Sequence, residues 1–70
     1  MQTVQIKVSN KGYYPFRDET LPFVVNAEID CDGDAYVSGL ELHEIEPERF
    51  PNDNFTYVFA KDVFGFEVVS

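Results

Sequence analysis

The chain has 70 residues, 44% of them hydrophobic, with seven Phe, four Tyr and a formal net charge of −8. That length makes one domain (1–70) with a small core, and so apolar a composition excludes a disordered chain. The charge repels nucleic acid, anionic lipid and other polyanions, so a partner selected by charge is basic.

Cys31 is the single cysteine, which excludes an intrachain disulfide and fits a reducing, cytoplasmic setting. The amino terminus alternates polar with apolar residues, unlike the basic and then apolar segments of a signal peptide. No apolar run approaches the roughly 20 residues that span a bilayer. The expectation is a soluble, cytoplasmic protein with no membrane contact and no direct nucleic-acid contact.

In chain order, Thr3 to Val8 sets Val4, Ile6 and Val8 on one side and Thr3, Gln5 and Lys7 on the other. That alternation predicts a strand. Ser9-Asn10-Lys11-Gly12 ends it with turn residues. Residues 13–21 predict an ordered loop, since Pro15 and Pro22 discourage a helix. Within it, Tyr13, Tyr14 and Phe16 either fold over the sheet as a cover or offer aromatic anchors to a partner. The small core favours the cover.

From Pro22 to Ile45 the pattern predicts a hairpin with Asp32-Gly33 as a two-residue type I′ turn. Cys31 then pairs with Asp34, Ile29 with Tyr36, Ala27 with Ser38, Val25 with Leu40 and Phe23 with Leu42. These pairs share a mostly apolar face. The other face carries Asn26, Glu28 and Asp30 against Ala35, Val37, Gly39 and Glu41, and a one-residue slip would exchange the faces. Residues 46–54 read as a connection. A second hairpin is predicted over 55–69 around Lys61-Asp62, pairing Phe59 with Phe64, Tyr57 with Phe66 and Phe55 with Val68.

The expected fold is mainly β: one small domain of about five antiparallel strands, as a curled sheet or small open barrel with little or no helix. Its apolar face needs a cover, from loop 9–21 or from a second copy in a homodimer.

Asp30, Asp32 and Asp34 stand at alternate positions, followed by Val37, Ser38 and Glu41. In this spacing residues 30–41 resemble the EF-hand calcium loop, whose carboxylates occupy its first, third, fifth and twelfth positions. The resemblance implies calcium held by Asp30, Asp32, Asp34 and Glu41. It departs at the sixth position, where Ala35 replaces the glycine of the sharp turn, and Pro22 and Pro47 interrupt flanking helices. A hairpin with an acidic outer face reproduces much of the same spacing.

Catalytic residues are not indicated. A single His and a single Cys occur without a nucleophile motif, and no glycine-rich phosphate loop is present. Cys31 and His43 fall on different faces, too far apart for one zinc ion.

The remaining signal is charge order. From Asp18 to Glu48 there are ten acidic residues and no Lys or Arg, with Arg17 and Arg49 just outside. The expected function is a non-enzymatic acidic module that docks on a basic protein surface, such as that of a host nucleic-acid-binding protein. Glu28, Asp30, Asp32, Asp34 and Glu41 would carry the contact, with Glu44, Glu46 and Glu48 as a second patch. Carboxylates on alternate strand residues lie roughly 7 Å apart, comparable to phosphates along a nucleic-acid strand. A small acidic β-protein of this kind is expected to be able to mimic DNA or RNA, and in size and charge the chain resembles small phage-encoded inhibitors. The alternatives are the calcium protein and a structural subunit that oligomerises through its apolar face.

Overall fold

The computed structural model describes residues 2–70. Five antiparallel strands form one open sheet: β1 (Gln2–Val8), β2 (Phe23–Ile29), β3 (Ala35–Ser38), β4 (Thr56–Phe59) and β5 (Glu67–Val68). Their spatial order is β4-β3-β2-β1-β5. The sheet does not close into a barrel. Two helices, α1 (Gly39–Ile45) and α2 (Lys61–Phe64), and a 3-10 turn at Asp18–Thr20 complete the domain.

β1 and β2 follow from their alternation. Ile6 and Val8 on β1, with Phe23, Val25 and Ala27 on β2, are buried on one face, while Gln5, Asn26 and Glu28 are exposed on the other. The long loop between these strands crosses the buried face and covers it, as expected. Phe16 enters the core, and Tyr14 packs against Phe59 and Phe64, with ring centroids 5.2 and 5.4 Å away. The cover is supplied within the chain.

The first hairpin forms, but its register differs from the expected one by one residue. Glu28 pairs with Tyr36 and Ile29 with Ala35. The loop holds three residues rather than two. Gly33 N–H donates to the Asp30 carbonyl at 3.1 Å, closing a type I turn, and Gly33 itself takes φ +89°. This is the three-residue hairpin loop in which glycine accepts a left-handed backbone that a side chain would resist. Asp30 N–H then bonds the Asp34 carbonyl at 3.1 Å, which starts the ladder.

The slip turns Ala35 and Val37 inward, where both are fully buried, and Tyr36 and Ser38 outward. β3 is an interior strand, with Ala35 opposite Phe59 and Val37 opposite Tyr57 of β4. Its inner face must therefore be apolar.

The second arm of that hairpin stops at Ser38, so the expected pairs of Leu40 and Leu42 with β2 do not exist. Ser38 Oγ accepts the Leu40 N–H at 3.2 Å and caps α1. Ser38-Gly39-Leu40-Glu41 has the spacing of a capping box, a local signal that competes with the strand pattern. On the helix, Gly39, Leu42 and Glu46 turn inward at intervals of three and four, while Leu40 is exposed. Strand alternation and helical period both satisfy Leu42, which is why the apolar pattern alone misreads the segment.

The expected second hairpin is absent. β4 pairs with β3, whereas β5 pairs with β1 at the opposite edge. Between them α2 forms a single helical turn. It closes when Gly65, at φ +59°, donates its N–H to the Lys61 carbonyl at 3.0 Å. A left-handed glycine after a short helix is a common stop signal. The chain crosses the buried face here, leaving Phe64 and Phe66 in the core, with Phe64 against Phe59. Phe55, expected among the inward rings, is largely exposed.

Candidate functional site

Each carboxylate proposed for binding has a definite place in this fold. Asp30 organises the hairpin tip. Its Oδ1 accepts the N–H groups of Asp32 and Asp34 at 2.9 and 3.1 Å, and its Oδ2 accepts the Tyr36 hydroxyl at 2.7 Å. The Tyr36 hydrogen bond, with the backbone donors of the turn, holds the Asp30 carboxyl below the usual range against some desolvation. The same bond raises the Tyr36 phenol. Asp34 Oδ1 accepts the Lys61 N–H at 3.1 Å and ties the tip to the start of α2. Asp32 makes no described side-chain hydrogen bond and is exposed.

Glu41 sits in the first turn of α1, where a carboxylate also faces the positive end of the helix. Its Oε1 accepts the Asn26 N–H at 3.2 Å. In the observed register Asn26 is the residue that Ser38 would pair with if the β2–β3 pairing continued past Glu28–Tyr36. The helix thus satisfies with a side chain a strand donor that would otherwise lack a partner.

The calcium arrangement does not assemble. The stretch Asp30–Glu41 becomes a turn, a strand and the start of a helix. Among the described residues no three His, Cys, Asp or Glu side chains converge to hold a metal ion. His43, expected on a strand, sits on α1 with Nδ1 2.9 Å from the Phe50 carbonyl, and Cys31 is exposed at the tip.

The second acidic patch is not continuous. Glu44 is exposed, but Glu48 is paired with Arg17, and Glu46 is only 3% exposed. Glu46 is therefore a correction to the expected surface. It caps the end of α1 and reaches inward, so that Oε1 accepts the Arg17 N–H and the Thr20 hydroxyl, both at 2.6 Å. Oε2 makes no hydrogen bond among the described residues and faces Arg17 Nε at 3.6 Å, an ion-pair contact. These groups line a polar cleft of about 170 Å³ with Ile45, Pro47 and Glu48. Glu46 fastens the covering loop to the helix, a role with no local sequence signature because its partners lie 26 and 29 residues away.

This latch carries a pH prediction. The Thr20 and Arg17 hydrogen bonds, with the Arg17 and Arg49 charges, hold Glu46 below the usual carboxyl range although burial opposes them. A carboxyl with a lowered folded pKa contributes stability above its unfolded value and loses it as pH falls through the folded one. Stability to urea is expected to fall as the pH drops below about 4.3, the ordinary glutamate value. Glu46→Gln is expected to be less stable at neutral pH and to lose less on acidification, keeping the part of the slope that Asp30 contributes. A variant profile as steep as the parent's would exclude the latch.

Of the aromatic loop, Phe16 is core, Tyr14 is half-buried and Tyr13 is 62% exposed. Tyr14 donates its hydroxyl to the Val58 carbonyl at 2.8 Å. Phe16 is thus a further correction, because a ring in the core presents nothing to a partner.

On the sheet face opposite the core, the register lines up Thr3, Glu28, Tyr36 and Val58 across β1, β2, β3 and β4. Where β3 ends and α1 turns away, a shallow groove of about 240 Å³ opens, lined by Thr3, Asn26, Glu28, Tyr36, Ser38 and Glu41. All three described ion pairs lie elsewhere, between Lys11 and Asp18 and between Arg17 and Glu46 and Glu48. No helix among the described residues is long and apolar enough to cross a membrane. No family model matches the chain, and neither a curated protein nor a solved structure matches it significantly.

Proposed function

We propose that the protein is a non-enzymatic binding module whose acidic hairpin docks on a basic protein surface, with a nucleic-acid-binding protein as the partner whose chemistry fits best. The observation that carries this reading is the segregation of charge. The Lys and Arg side chains that form ion pairs do so in the covering loop, whereas Glu28, Asp30, Asp32, Asp34 and Glu41 take part in none of the described pairs. Asp30 and Asp34 are rigidly placed by the turn, so the negative tip is preorganised and loses little freedom on docking. The Lys61 side chain packs beside Gly33 at the tip, so the surface is acidic in balance and not of one sign; it steers a basic partner and weakens with salt. An inhibitor that occupies a nucleic-acid groove would act in this way.

Asp32 is the position that tests the idea cleanly. Replacing Asp30 would undo the turn, but Asp32 is exposed and holds no described hydrogen bond from its side chain. Affinity capture from a cell lysate should retain basic proteins at low salt and release them at high salt. Asp32→Lys should lose them at low salt while keeping the parent fold by circular dichroism. A captured set that neither salt nor Asp32→Lys alters would sink the reading.

A further inference from the structure

The geometry points to the outer-face groove as a receptor for an arginine side chain of the basic partner. This rests on the docking reading above and assigns its point of specificity. Glu28 lies directly between Thr3 and Tyr36 in the sheet register, so Glu28 and Tyr36 are cross-strand neighbours on the outer face. Glu41 reaches the same groove from α1. One of its oxygens is held by the Asn26 N–H, which fixes the carboxylate and leaves the other oxygen without a described hydrogen bond. Neither glutamate belongs to a described ion pair.

Two glutamates and a tyrosine lining one groove make a different surface from carboxylates alone. A planar guanidinium can lie against an aromatic ring while its N–H groups donate to carboxylates at its edge. An ammonium is a compact, strongly hydrated charge that lacks this planar fork. Tyr36 is ready for the role because its hydroxyl is committed to Asp30 Oδ2 at 2.7 Å, which restrains the ring. Asp30 is thus a positioning residue for the groove and not its contact. The groove exists because the β2–β3 pairing ends at Glu28–Tyr36 and the chain turns into α1 after Ser38, which leaves the rest of β2 without a paired strand on that side.

The test is a titration of the isotopically labelled full chain with two capped peptides of equal charge, tri-arginine and tri-lysine, at physiological salt. The arginine peptide should bind several-fold tighter, with amide shifts concentrated at Asn26, Glu28, Tyr36 and Glu41. Glu28→Gln and Tyr36→Leu should each weaken it roughly fivefold to tenfold, while Tyr36→Phe, which keeps the ring but loses its restraint by Asp30, should weaken it less than Tyr36→Leu does. Equal affinity for the two peptides, or shifts spread evenly over Glu19, Glu44 and Asp62, would overturn the assignment. If Asp32→Lys weakened both peptides while Glu28→Gln weakened neither, the groove would fall and the acidic docking surface would stand. If no variant changed binding of either peptide, both would fall.

Discussion

Val37→Lys is expected to prevent folding at neutral pH. A 70-residue domain has roughly 4–10 kcal/mol of stability in total, at about 0.05–0.15 kcal/mol per residue. Val37 is 0% exposed on an interior strand, facing the core opposite Tyr57. An ammonium placed there loses its water and finds no described carboxylate in the surrounding apolar cluster. The cost is about 4 kcal/mol or more, enough to remove most of the native population. Val24→Lys, at a position 51% exposed on the outer face of β2, should leave folding intact. Far-ultraviolet circular dichroism and urea melts of both variants check this. The pair also tests the register, because a two-residue turn would put Val37 outside and make its lysine harmless. A folded Val37→Lys protein of parental stability would refute the three-residue loop.

The second large effect is expected at Phe64. This ring is 1% exposed and lies 4.6 Å from Phe59, 5.1 Å from Tyr13 and 5.4 Å from Tyr14, measured between centroids. It is the point where α2 meets the covering loop. Phe64→Ala should cost about 3–5 kcal/mol, the range for removing a buried phenyl and leaving a cavity. Such a loss approaches the whole stability of the domain. Tyr14→Leu in the Phe64→Ala background should add less than it does alone, because the two rings share one contact worth about 0.5–1.5 kcal/mol beyond area. Urea midpoints of the double-mutant cycle measure this, and strict additivity would exclude the coupling. If Phe64→Ala cost less than about 1 kcal/mol, α2 would be a surface turn and the aromatic cover would not depend on it.

Much of the candidate site could be read from residue order, and the misreadings have identifiable causes. Asp-Gly announces a turn, and the alternate acids around it place negative charge at a hairpin tip. What residue order misread was the number of residues in the loop, two being expected where three are found. Asp30 accepts two backbone N–H groups and so stabilises a three-residue loop as readily as Asp-Gly suits a two-residue one. Glu41 and Glu46 are both carboxylates at the ends of α1, but one bonds to β2 and the other is buried beneath Arg17 and Thr20. Nothing within a few residues of either distinguishes these fates. The Ser38–Glu41 capping spacing was a readable signal, overridden in the alternating pattern by Leu40 and Leu42.

The amino-acid sequence by itself determined a small, mainly β, strongly acidic domain, with β1 and β2 placed by alternation, an acidic turn at 30–34 and an aromatic loop over the core. Local chemistry is enough for these, since each depends on neighbours in the chain. Only the tertiary structure decided that β4 and β5 lie at opposite edges, that Val37 faces inward and that Glu46 is a buried latch. Those outcomes depend on which distant groups compete for the same core volume and backbone donors. The groove between Glu28, Tyr36 and Glu41 is of the second kind: it exists because a helix takes the place of a strand beside β2.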